Sequence, residues 1–404
     1  MTRNHPIKMF TAAALCCFVG AFSSAQAQDD AETASPVKID QTKVVRAIFD
    51  ATKSAKTVSD FTAFLEQCNT ALGDELSQAN RDYVVSLTGW GLNRRGEKRY
   101  ELAKQLKKIG NQRFKETMDQ AMADFNQAIV ADPTRVRTWM SRGVAHVESE
   151  RLDNAIRDFT QVTELKTDDA SGWFNRAETL YQRGNYRHAI KDYDVVLRLD
   201  SDDVQALTGR GLSKLKLTAY DESLVDFERV IELQPKTQTA YINRGDALQG
   251  LEQWDAARKD YDKAILLEET GVAFQRAAWL HATCPEDSIR NEELARQRID
   301  RAVELAGETP AVLDALAATE ALEGNFDSAK THQQQAIGLV SGQEDAGSPY
   351  QARLIKYENS EPFLQVQQAV VEEDVDSKPA KDSATEPPAA NKAPENKLEL
   401  SEGK

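Results

Sequence analysis

The sequence predicts an all-α chain: an α-solenoid of stacked helix-turn-helix units, followed by a disordered C-terminal tail. Three observations carry that prediction. A 34-residue period holds four registers at once. Within each period the apolar residues recur at helical spacing. Composition then changes near residue 359, where Glu, Lys, Pro, Ala and Ser take over. The registers are Phe125, Phe159, Tyr193, Phe227 and Tyr261; Asp124, Asp158, Asp192, Asp226 and Asp260; Arg142, Arg176, Arg210 and Arg244; and Gly143, Ala177, Gly211 and Gly245. A fixed period of this size marks a repeat architecture, in which each unit buries its apolar face against its neighbours.

Each period reads as two amphipathic helices. In residues 136–169, Trp139, Gly143 and Val147 form one stripe, and a break follows at Glu150 and Arg151. Leu152, Ala155, Ile156, Phe159 and Val162 form the second stripe. Asp153 stands where a short acidic side chain caps free N–H groups and meets the positive helix end. Small residues at 143, 177, 211 and 245, and Ala155, Ala189, Ser223 and Ala257 on the second helices, let paired helices approach closely. Pro133 and Pro235 end helices between units, because proline cannot continue the hydrogen-bond ladder.

This pattern resembles the tetratricopeptide repeat. That family's Trp, Leu-Gly, Tyr, Ala-x-x-x-Phe and Pro framework is matched around Trp139, Gly143, Ala155 and Phe159, and again around Trp173, Gly184, Tyr186, Ala189 and Tyr193. Gly211, Tyr220, Phe227 and Pro235 continue it, as do Gly245, Trp254, Ala257 and Tyr261. The resemblance implies a right-handed α-solenoid of about eight units. Residues 272–345 and 41–117 hold degenerate units, the second group with a basic insertion, on either side of a core array over 118–271. Residues 97–117 are an insertion or a lengthened helix. A helix remnant and an acidic tail fill 346–404, and the tail from Val370 to Lys404 is expected to be disordered.

The chain has 404 residues, 41% hydrophobic and 28% charged, which suits an open solenoid. Its formal net charge of -15 argues against nucleic-acid partners, which need clustered positive charge. Arg3, Lys8, the apolar stretch Met9 to Phe22 and Ala25-Gln26-Ala27 read as a signal peptide over residues 1–27, with a linker over 28–40. Export to a bacterial periplasm or beyond the cell is therefore expected, with no integral membrane segment after cleavage. Cys68 and Cys284 are left, too far apart in a solenoid for an intrachain disulfide.

Sixteen residues separate each repeated Arg from a repeated Asp, which reads as a ladder of structural ion pairs. An anion-binding row is the competing reading. By the resemblance, first helices line a concave groove. Met140, Phe174, Asn175, Glu178, Tyr181, Thr208, Leu212, Leu215, Ile242, Asn243 and Asp246 would then face a protein or peptide partner. Residues 94–115 carry nine basic side chains against Glu97 and Glu101, either a solvated helix face or a site for an anionic partner. No catalytic motif, metal-ligand spacing or cofactor signature occurs, and Cys284 near His281 lacks a third orienting group. The expected function is a non-enzymatic adaptor that binds a peptide or helix in the groove. The alternatives are an architectural spacer and, behind it, an envelope hydrolase.

Overall fold

The computed structural model describes residues 43–73, 76–340 and 348–365. The segment expected to be a signal peptide and the tail after residue 365 lie outside the described residues. Among those described, seventeen helices follow one another without a strand. They are α1 (Lys43–Ser54), α2 (Val58–Gly73), α3 (Gln78–Lys108), α4 (Phe114–Ala131), α5 (Val136–Glu148), α6 (Leu152–Leu165), α7 (Ala170–Gln182), α8 (Tyr186–Leu199) and α9 (Val204–Lys216). After these come α10 (Tyr220–Leu233), α11 (Gln238–Gly250), α12 (Trp254–Leu267), α13 (Gly271–Thr283), α14 (Glu292–Ala306), α15 (Pro310–Leu322), α16 (Phe326–Val340) and α17 (Ser348–Glu358). Odd-numbered helices pack on the even-numbered helices that follow them, and each pair packs on the next. The described residues thus form an α-solenoid of eight helix pairs closed by a single helix, in a unit that ends at Leu364.

The aromatic register is the core. Phe125, Phe159, Tyr193, Phe227 and Tyr261 are all fully buried. Four of these rings lie against a glycine of the partner helix, Phe125 against Gly96. A Cβ on Gly143 would come 2.6 Å from Phe159, and one on Gly245 would come 2.6 Å from Tyr261. On Gly211 it would come 2.8 Å from Phe227. The repeated small residue is therefore the socket of the repeated ring.

The turn between paired helices repeats as well. Glu150, Thr218 and Glu252 have φ near +60°, and Gly184 has +84° at the equivalent place. This left-handed residue closes the helix C-terminus, and the next N–H returns to a carbonyl of the last turn, as in Arg151 to His146 at 2.9 Å. Only glycine enters this region freely; for other residues it costs about 1–2 kcal/mol. The tertiary fold imposes it on three of these four turns. Asp153 does not cap α6. The N-cap is Arg151, without a side-chain cap bond, and Asp153 instead pairs with Arg183 at 2.5 Å. Asp153 still lies in the first turn of α6, so its charge meets the positive helix end as expected.

The Arg register joins three helices at each step. Arg142 donates to both Asp158 oxygens at 2.8 and 2.6 Å, and its third nitrogen reaches Asn126 of the preceding pair at 2.7 Å. Arg176 does the same with Asp192 and Thr160, and Arg210 with Asp226 and Asp194. Arg244 clasps Asp260 at 2.7 Å. Arg142 and Arg176 also lie over the rings of Trp139 and Trp173, each at 4.9 Å. Those indoles donate to the backbone carbonyls of Pro133 and Thr167, which ties each first helix to the loop before it. Burial outweighs Arg142 and lifts the Asp158 carboxyl above its ordinary range.

The N-terminal end departs from the period. Gly96 meets the Phe125 ring as Gly143 meets Phe159, but the two are 29 positions apart in place of 16. Thirteen residues are therefore inserted. They lengthen α3 to 31 residues and start α4 early. Gly91 of the same helix receives the Phe64 ring of α2, so α3 serves two pairs at once.

Two outcomes follow. Arg176→Ala leaves the buried Asp192 carboxylate unpaired and is expected to destabilise the chain by about 3–5 kcal/mol in urea unfolding. His146 is buried, and burial first, then Arg142, Arg151 and Arg157, depress its pKa to about 4. Above about pH 6.5 it is neutral in both states. As pH falls further the unfolded chain takes up the proton first, so stability drops between about 6.5 and 4. His146→Gln should flatten that drop by roughly 1–3 kcal/mol when urea stability at pH 7 is compared with pH 4.5.

Candidate functional site

Nine of the eleven candidate residues fall on the first helices α5, α7, α9 and α11 in three rows with a 34-residue step, and Asn175 and Asn243 stand two steps apart in a fourth. Met140, Phe174, Thr208 and Ile242 form one row. Glu178, Leu212 and Asp246 form the second, and Tyr181 and Leu215 the third. The rows are not equally open.

Two of the eleven residues belong to the interior. Asn175 is buried, and its amide donates to Ser171 O at 2.8 Å within its own helix. Ile242 is buried in a cluster with Ala264 and Ala273. Phe174 and Tyr181 are half-buried and make edge-on ring contacts with Tyr193 and Tyr186. Thr208 donates its hydroxyl to Val204 O at 2.7 Å. Met140, Leu212, Leu215 and Asn243 are half-exposed.

The two acids have an internal role. The Tyr193 hydroxyl donates to Glu178 Oε1, and the Tyr261 hydroxyl donates to Asp246 Oδ1 at 2.8 Å. Burial, reinforced by these carboxylates, pushes both phenols well above their usual pKa, so the oxygens stay protonated donors. Burial also raises the Glu178 carboxyl, although the Tyr193 hydroxyl works against it. Asp246 additionally receives Arg276 of α13 at 3.1 Å. The sequence carried a signal for this. Fifteen positions before Tyr193 and Tyr261 stands an acid, whereas fifteen before Phe159 and Phe227 stand Val144 and Leu212. A phenol needs a buried acceptor and a phenyl ring does not.

The basic stretch is largely neutralised. Arg95 and Arg99 converge on the buried Asp124 at 2.7 and 2.6 Å. Arg94 pairs with Glu97, Lys98 with Glu101, and Lys107 with Glu148. Glu97 also receives Arg137 at 2.8 Å. Burial works to raise its carboxyl, but the hydrogen bond and charge of Arg137, with Arg94, hold it low. Lys108, Arg113 and Lys115 remain exposed at the tip of the lengthened α3–α4 hairpin, beside Ile109 at 73% exposure.

Cys284 is buried and burial raises its thiol, which disfavours the nucleophilic thiolate. The neighbouring His281 is also buried, with Nδ1 bound to Ile289 O at 2.8 Å. Cys68 is likewise free and buried, its pKa pushed up to about 11 by burial. Among the described residues no group of three or more His, Cys, Asp or Glu side chains could hold a metal ion, and no helix is long and apolar enough to cross a membrane.

The family model of the tetratricopeptide repeat (TPR) matches residues 140–204 and 208–271, the span in which the ring sockets and Arg clasps recur. That span consists of tetratricopeptide repeats. No curated protein matches it. Among solved structures it is similar to a TPR protein from Parabacteroides merdae, at 16% identity and a TM-score of 0.52, over 65% of this chain and 98% of that one. It is also similar to YrrB, a TPR protein with an unusual peptide-binding site, at 19% identity and a TM-score of 0.37, over 43% and 88% of the two chains. Yeast Tom70 matches at 17% identity and a TM-score of 0.42, over 75% and 59%. At 16% identity the likeness to the Parabacteroides merdae protein shows the fold alone.

The TPR chain contains its own control for the Tyr–acid pairs. Tyr193→Phe and Glu178→Leu, made singly, each strand a polar partner and should cost about 1–3 kcal/mol. Made together, they copy the Phe227 and Leu212 combination and should cost much less than the sum. A double-mutant cycle in urea reads the coupling directly; additive single effects contradict the pairing.

Proposed function

We propose that this TPR protein is an adaptor that captures a peptide or a partner helix along its first-helix face, in a bacterial envelope compartment. The carrying observation is a strip of partly buried apolar and aromatic side chains across three successive first helices: Met140 on α5, Phe174 and Tyr181 on α7, and Leu212 and Leu215 on α9. The Met140 sulfur accepts from the Asn175 amide at 3.3 Å, whereas Leu212 and Leu215 carry no polar group. An extended or helical partner lying across successive first helices would meet at least one of these side chains on each of the three. Asn243 and Thr208 border the strip and offer hydrogen-bonding groups. Asn175, Ile242, Glu178 and Asp246 are occupied by internal packing and hydrogen bonds, so the recognition row is narrower than the eleven positions. A repeat scaffold of this kind supports protein interaction, and no residue cluster described above supplies catalysis. The envelope assignment rests on the N-terminal sequence pattern alone; intact mass of the mature protein tests it, since a retained Met1 contradicts cleavage.

The test of the site is a photo-crosslinking residue at position 212 in intact cells. One recurrent protein adduct is expected, and Met140→Asp with Leu215→Asp should reduce it at least about tenfold at unchanged melting temperature. A smear of abundant proteins, or an adduct insensitive to both changes, favours the architectural spacer.

A further inference from the structure

The first-helix face is covered at its C-terminal end by the chain itself. After α17 the chain reverses at Ser360, whose φ is +59°. The Ser360 N–H bonds Tyr357 O at 3.0 Å and the Glu361 N–H bonds Lys356 O at 2.9 Å. Lys356 then pairs with the Glu361 carboxylate at 3.0 Å. The reversal sends residues 361–364 back over helices already laid down.

Phe363 is the anchor. Its ring lies 5.7 Å from that of Trp279 on α13, and it packs against the cluster of Ala317, Ala321 and Tyr357. Arg353 of α17 completes the enclosure. Its guanidinium stands over three rings, at 5.2 Å from Trp279, 5.0 Å from Tyr350 and 5.6 Å from Phe363. Asp314 of α15 fixes that guanidinium with two bonds at 2.7 and 2.8 Å. Three successive first-helix positions, on α13, α15 and α17, thus supply walls, and a short extended segment with one aromatic side chain fills the space.

Closing the stack does not require this. α17 already covers α16 and buries Leu354 and Tyr357. The added segment makes contacts of the kind a bound peptide makes: a stacked aromatic, a cation over its face and a flanking ion pair.

We propose that Trp279, Arg353 and Ala317 form a binding site for an extended peptide with an aromatic side chain after proline, and that Glu361–Leu364 occupies it as the chain's own ligand. The proposal rests on the first helices being the recognition face, and it names what they recognise at this end. A partner carrying an acidic-Pro-Phe-aliphatic segment must displace the strap, so its apparent affinity is set by how often the strap is open.

A fluorescein-labelled peptide copying residues 359–365 tests this by anisotropy against the full-length chain and its Phe363→Ala variant. The variant should bind at least about tenfold more tightly than the native chain, and a peptide with alanine in place of its phenylalanine should not bind. Lys356→Glu, at an exposed position, loosens the reversal without touching the packed rings and should give an intermediate affinity; it keeps the test valid if Phe363→Ala melts early. A photoreactive phenylalanine analogue in the peptide should label the tryptic fragment 277–290, which contains Trp279. Equal binding to native and altered chains, no binding to either folded variant, or labelling outside that fragment overturns the proposal. If the peptide fails while the cellular adduct from position 212 persists, the strap loses its role and the adaptor reading stands. The opposite pattern removes the adaptor reading and leaves the strap site.

Discussion

The arginine clasp is the interaction on which the rest of the structure depends. The apolar core of a pair centres on one ring in a glycine or alanine socket with a few aliphatic neighbours, such as Leu180 and Val196 around Tyr193, and apolar contact is non-directional. The clasp adds direction. Arg142, Arg176 and Arg210 each fork onto an Asp in their own pair and extend a third nitrogen to Asn126, Thr160 or Asp194 of the pair before. Bidentate guanidinium–carboxylate geometry tolerates little rotation, so each unit is set against its predecessor at a defined angle. The indole stacked on the guanidinium and bonded to a loop carbonyl adds a further restraint at Trp139 and Trp173.

Because the clasp fixes the pairs from within, the first-helix surface carries fewer structural duties. That freedom is used unevenly. Where the buried ring is Tyr193 or Tyr261, the surface above it must supply an acceptor, and Glu178 or Asp246 is committed. Where the ring is Phe159 or Phe227, the equivalent positions hold Val144, itself buried, and Leu212, which is partly buried. One hydroxyl in the core therefore decides whether the position above it on the partner helix is polar. That position alternates between an acid and an aliphatic for a reason rooted in packing.

Much of this was legible in the sequence. Periodicity reported the helix pairs, the ring sockets and the Arg–Asp pairing, because each recurs and chance does not hold four registers together. The burial of Asn175 and Ile242 was not legible. Adjacent positions on a helix differ by about 100° in direction, and first helices touch neighbours on two sides, so no clean polar stripe reveals the open sector. The absent cap at Asp153 was hidden because its partner, Arg183, lies in the next unit. The offset linking each Tyr to an acid was present in the chain but concerns only two units. The strap at Phe363 occurs once, and a single event has no period to betray it.

The lengthened α3 has a mechanical consequence. At 31 residues it is a rod of about 46 Å, seated against Phe64 on one side and Phe125 on the other. From α5 onward, a bend between pairs shifts packed side chains and strains the arginine clasps at each joint. At α3 a bend must break main-chain hydrogen bonds in the middle of a helix. α3 is thus the stiffest link between neighbouring pairs.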